Sequence, residues 1–181
     1  MLALKLVKPA VALFALACLL LLEGCGTAQQ DILFKPEFVP APNAAIRVGD
    51  VVDTAPRIKR GNEFKDLDVA MKMRDALEAK LREAGLLGTL ASDGKPLVLS
   101  ARVVDYEPGD AFKRWLMPGY GSTVLTVECA LHNGDEQVAT VNARRTVDAG
   151  GGYTIGAWET IFGQVAEDVV AGLKKKLRPP S

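Results

Sequence analysis

Thirteen apolar residues in a row, 10–22 (AVALFALACLLLL), set the first limit on what this chain can become. As a helix they span about 20 Å at ~1.5 Å per residue, short of the ~30 Å hydrocarbon core of a bilayer. Lys5 and Lys8 precede the run, and Glu23 and Gly24 stop it. A positive start, a short apolar core and a small residue at the end form the pattern of a secretory signal peptide, which is removed and takes no part in the fold. An uncleaved span would need more apolar residues than Glu23 allows.

The run ends Leu22-Glu23-Gly24-Cys25, which resembles the bacterial lipobox. In lipobox proteins the cysteine thiol receives a diacylglyceryl group. A peptidase then cuts, here between Gly24 and Cys25, and the new amino terminus is acylated, typically with palmitate. Glu23 departs from the small or apolar residue usual at its position. Buried methylenes contribute ~0.8 kcal/mol each, and two or more acyl chains anchor a protein stably where one does not. The resemblance implies a bacterial lipoprotein that faces the periplasm, with Cys25 as the lipidated residue. Gly26, rather than Asp, follows the cysteine, which implies the outer membrane.

Three cysteines are present, Cys18, Cys25 and Cys129. With the leader lost and Cys25 lipidated, Cys129 is left without an intramolecular disulfide partner, although the compartment would permit one. It lies in an alternating stretch and is expected to be a small buried hydrophobe. The chain is 49% hydrophobic and 24% charged, with a formal net charge of +0. That balance excludes disorder and an electrostatic nucleic-acid binder. Losing Lys5, Lys8 and Glu23 with the leader takes the net charge to −1, which provides no attraction to anionic head groups.

Residues 1–24 are thus the signal peptide. Residues 25–43, with Pro36, Pro40 and Pro42, lack helical or alternating periodicity and read as a lipidated, semi-extended tether reaching at most about 65 Å. Its Ile32, Leu33, Phe34, Phe38 and Val39 are candidates to pack along the domain or to meet a partner. Residues 44–181 read as one α+β domain. Ile46, Val48, Val51 and Val52 mark a first strand. Leu67, Ala70, Met73, Leu77, Leu81 and Ala84 form a helical stripe over 66–85. Strands follow at 97–106, 123–131 and 137–147, each alternating. Asn133-Gly134 is the expected hairpin turn between the last two. Arg145 breaks the inward parity and marks a strand end or bulge. A helix over 157–177 carries Ile161, Phe162, Val165, Val169 and Leu173 on its apolar face. Lys174, Lys175, Lys176 and Arg178 crowd its carboxyl end, where cations complement the dipole or meet a membrane surface. The order β-α-β-β-β-α predicts two helices on one face of a mainly antiparallel sheet of about four strands.

From residue 66 to 177 the chain resembles a bacterial lipoprotein family known as domain-of-unknown-function family 4410. The resemblance rests on Ala84-Gly85-Leu86, Tyr106-Glu107-Pro108-Gly109, Arg114-Trp115-Leu116, Pro118-Gly119-Tyr120-Gly121, Gly150-Gly151 and the terminal helix. The family implies no activity, cofactor or catalytic residue.

The residues themselves point the same way. His132 is the only histidine, so a histidine pair for metal is ruled out, and no placed nucleophile and acid accompany it. Gly150-Gly151-Gly152 lacks the Lys-Ser/Thr ending of a phosphate loop. No catalytic, metal or cofactor site is expected. The segment 110–121 is unusual for a strand connection because it carries Phe112, Arg114, Trp115, Leu116 and Tyr120. Trp, Tyr and Arg dominate interface hot spots, so these five are candidate partner-binding residues, unless the loop folds back as a lid on the sheet end. The expectation is a non-catalytic binding or assembly subunit whose partner is another envelope protein. The alternative is a small-ligand or lipid-binding module with a cleft between sheet and helices.

Overall fold

A computed structural model describes residues 26–41, 44–88, 95–117, 120–148 and 155–178. The strands are β1 (Gly26–Phe34), β2 (Ile46–Asp53), β3 (Leu97–Glu107), β4 (Thr123–Asn133) and β5 (Glu136–Val147). The helices are α1 (Val69–Glu83), α2 (Ala111–Leu116) and α3 (Ala157–Leu177), with 3-10 turns at Arg57–Arg60 and Asn62–Phe64.

The alternating segments pair as their patterns demand. Leu99, Val103, Leu125, Val127, Leu131 and Val141 all point to one face and are fully buried. That face is covered by α1 and α3, which bring Met73, Leu77, Leu81, Ile161, Val165, Val169 and Leu173 into the same core. Asp68 caps α1, its carboxylate accepting from the Met71 N–H at 2.8 Å, and Gly85 follows the helix in the left-handed conformation.

Two expectations change. The sheet has five strands in the order β1-β5-β4-β3-β2, and it is mixed. β2 runs parallel to β3, with Ile46 beside Leu97, because α1 carries the chain back across the sheet between them. The stretch read as a tether is over Gly26–Phe34 an edge strand, antiparallel to β5 from Gly26 beside Val147 to Phe34 beside Ala139. Its alternation is weak because little of its inner face is covered: only Ile32 and Phe34 pack against the core. Ile32 lies across Gly172 of α3, where any Cβ would overlap Ile32 Cδ1.

Two local readings are also refined. The hairpin turn is centred one residue later, on Gly134 and Asp135, with Asn133 paired to Glu136 and Gly134 at φ 62°. Arg145 marks no bulge: it reaches α3 and binds Asp168 through two bonds of 2.6 and 2.7 Å. That pair explains a charge on the inward parity, and the hydrogen bond to Asp168 raises the Arg145 pKa. Cys129 is buried as expected, and burial pushes its thiol up to about 12.

The register gives the sheet two unlike ends. Gly26, Val147 and Thr123 lie side by side on β1, β5 and β4, and Glu107 pairs with Val124. The 3-10 turns, α2 and the first turn of α3 gather at this end. The β4–β5 hairpin, Gly85 and the end of α3 occupy the other.

Candidate functional site at the α2 end of the sheet

Between β3 and β4 the chain folds into the short helix α2 instead of an irregular loop. Asp110 starts it, its carboxylate accepting from the N–H groups of Phe112 (2.9 Å) and Lys113 (3.0 Å). The Lys113 N–H contact chiefly, with that of Phe112, holds the Asp110 carboxyl below its usual pKa. Six residues are too few to form a stable helix alone, so tertiary contacts must hold α2 in place.

Arg114 supplies them. It was a candidate for partner binding, but its side chain is buried, at 2% exposure. Its Nη1 donates to Gly121 O and to Thr123 Oγ1, both at 2.9 Å. Thr123 Oγ1 donates in turn to Pro108 O at 2.7 Å. Burial lowers the Arg114 pKa, since a charge leaving water is disfavoured, and Asp110 opposes the shift. Gly109 sits at φ 69°, and a Cβ there would come within 2.6 Å of the Gly121 and Ser122 carbonyls. Pro108, Gly109, Arg114 and Gly121, scattered in sequence, form one pedestal under the helix.

The other four candidates point outward. Phe112, Trp115, Leu116 and Tyr120 are 59–66% exposed, and Met117 joins them. Phe112 and Trp115 lie against each other with ring centroids 6.0 Å apart. The structure thus exposes four of the five candidates on and after α2, two of them in ring contact, and assigns the fifth to holding the helix. Pro118 and Gly119 lie outside the described residues, as does Gly150-Gly151-Gly152. Ile58 and Ile155 are also strongly exposed at this end.

Residues that the sequence reading passed over stand beside α2. Arg60 is buried, and its Nη2 donates to both Asp53 carboxylate oxygens at 2.6 Å while the guanidinium lies over the Tyr106 ring. Tyr106 OH donates to Trp158 O at 2.9 Å, and burial raises the Tyr106 pKa. A single 3-10 turn has no periodicity to read, so the inward direction of Arg60 left no trace in the sequence. An open depression of about 670 Å³ lies between this turn and the base of α2, with Lys59, Asn62, Phe64, Glu107, Asp110 and Lys113 on its walls. Among the described residues no group of His, Cys, Asp and Glu is placed to hold a metal ion. Nor is any described helix long and apolar enough to cross a membrane.

The model of the family called domain of unknown function (DUF4410) matches residues 46–156. The chain belongs to this family. The match spans β2 through the connection into α3 and includes the whole pedestal. No curated protein sequence matches the chain. Among solved structures, the fold is similar to the PelC dodecamer from Paraburkholderia phytofirmans. One crystal form aligns at 16% identity and a TM-score of 0.52, covering 86% of this chain and 99% of that chain. A single-substitution variant of the same dodecamer aligns at 17% identity and 0.51 over the same shares. A Caulobacter crescentus CB15 protein, provisionally described as a lipoprotein, aligns at 12% identity over 75% of this chain and 89% of that one, with a TM-score of 0.36.

Proposed function

We propose that this chain is a non-catalytic lipoprotein of the bacterial envelope, anchored through Cys25 to the outer membrane on its periplasmic side and acting as an assembly subunit. The observation that carries the reading is how the leader ends. The apolar run 10–22, too short to span a bilayer, leads straight into Leu22-Glu23-Gly24-Cys25, so acyl chains on Cys25 take the place of a spanning helix. Gly26, the next residue, is already paired with Val147, which puts the fold one residue from that hook.

The subunit's first partner is a second copy of itself. The fold is shared with a protein that forms a dodecamer, and closed symmetric assemblies of one chain are the commonest oligomers. Cys25→Ser should move the protein from the membrane fraction to the soluble fraction. Cross-linking of the detergent-extracted wild type should yield a ladder of multiples of the subunit mass. Unchanged processing and membrane retention in Cys25→Ser would remove the anchor. A strictly monomeric extract would remove the self-assembly.

The depression beside Arg60 supports a second reading, in which the domain holds a small polar ligand. Native mass spectrometry of the extracted protein should then show an added mass, and an unmodified mass counts against it.

A further inference from the structure

Exposed apolar side chains are scattered singly over most protein surfaces and need no explanation. Here they are concentrated. Of the eleven large hydrophobic residues exposed among the described ones, seven lie in the connections at the α2 end of the sheet. They are Ile58, Ile155 and the five on and after α2.

The register fixes where that end stands relative to the anchor. Gly26 pairs with Val147, and Val147 pairs with Thr123. Two strand spacings, about 10 Å, thus separate Gly26 from the residue that holds Arg114. Cys25 is one peptide before Gly26, about 3.8 Å between Cα atoms. Because β1 is hydrogen-bonded into the sheet from Gly26 onward, no slack chain intervenes. A lipid on Cys25 draws this end, and not the lysine-rich end of α3, against the bilayer.

We propose that the exposed face of Phe112, Trp115, Leu116, Met117 and Tyr120 is a second membrane contact, seated in the interfacial layer of the same bilayer that holds the acyl chains. This rests on the lipoprotein reading of Cys25. Trp and Tyr favour the head-group level, where a ring is half in hydrocarbon and half in water. Lys113, on the same helix and exposed, extends to the aqueous side. The covalent hook supplies a high local concentration of membrane, so a patch too small to bind alone is enough to set orientation. The pedestal of Arg114, Thr123 and Pro108 keeps the helix rigid, so the face adopts one depth.

The experiment uses the full lipidated protein reconstituted into phosphatidylethanolamine and phosphatidylglycerol vesicles, with part of the lipid brominated on its acyl chains. The chain has two tryptophans. Trp158→Phe leaves Trp115, and Trp115→Phe leaves Trp158, which is half-buried against Phe64. Trp115 should be quenched at least several-fold more than Trp158, and more by bromine near the glycerol end than near the methyl end. If Trp158→Phe fails to fold, the quenchable part of wild-type emission should vanish in Trp115→Phe. Equal, weak quenching of both tryptophans in protein that floats with the vesicles overturns the second contact and leaves the anchor intact. Flotation of Cys25→Ser at the wild-type level overturns the anchor itself. Cross-linking of residues 112 and 115 to a neighbouring copy, without quenching, assigns the face to a subunit interface and overturns the proposal.

Discussion

The two ends of the sheet are built from the same strands and yet differ in kind. At the hairpin end, Gly134 and Asp135 close β4 onto β5 in a tight turn. Arg178 Nη2 donates to Gly85 O at 2.8 Å, and Lys176 lies over the Phe34 ring. Cations there finish helix ends and cover apolar surface. At the α2 end the arrangement is inverted: the cation Arg114 is inside and the aromatic residues are outside. A buried guanidinium loses hydration, which its hydrogen bonds and the nearby Asp110 carboxylate offset. An arrangement that spends buried polar groups to hold apolar ones in water is hard to explain as packing alone. It fits a surface whose working environment is not water.

The largest test of this contrast is Arg114→Ala. It strips Gly121 O and Thr123 Oγ1 of their donor and releases α2, so stability should fall by about 2 kcal/mol, as for other buried acceptors left unsatisfied. Urea unfolding followed by far-UV circular dichroism measures it, and a loss below about 0.5 kcal/mol would dissolve the pedestal.

Gly172→Leu comes next. Its side chain would drive Ile32 off α3 and free β1, at a cost of about 2 kcal/mol for overpacking. Cys25 would then precede a true tether. Hydrogen exchange should become fast over 26–34 while β3 and β4 stay protected. Continued protection of β1 would show that pairing with β5 suffices without the Gly172 seat.

Alkaline stability probes the shared core between the two ends. The Cys129 thiol has its folded pKa raised to about 12, against about 8.5 when unfolded. Below 8.5 both states hold the proton and stability does not change with pH through this group. Above it the unfolded state releases the proton first, so stability falls by about 1.4 kcal/mol per pH unit until the folded pKa is reached. Cys129→Ala should flatten this slope between about pH 8.5 and 10, and an unchanged slope would assign it elsewhere. Native Cys129 should also resist alkylation at neutral pH.

The smallest expected effect is the most telling for the contrast. Trp115→Ser should change stability by less than about 0.5 kcal/mol, because the side chain is mostly exposed already. The gap between Trp115→Ser and its neighbour Arg114→Ala separates a residue that presents the surface from one that holds it. Equal losses would make the aromatic face an ordinary part of the core.

Much of this molecule was legible from its residues. Alternation placed the inward faces of β3, β4 and β5, since a half-buried strand must repeat every second residue. A three- and four-residue rhythm located α1 and α3, whose apolar stripes had one sheet face to cover. The composition of the 110–121 segment marked it as the place to look.

Tertiary structure decided the rest. That β1 is a strand depended on β5 offering it an edge, which no local pattern encodes. That β2 runs parallel to β3 depended on the path of α1. That Arg114 turns inward while Trp115 turns outward depended on acceptors supplied by Gly121 and Thr123, since both residues suit a solvent-facing interface equally well. Nearest-neighbour preferences are set by a few dihedral angles and by water. Direction and edge are set by partners distant in sequence, and these exist only once the chain has closed upon itself.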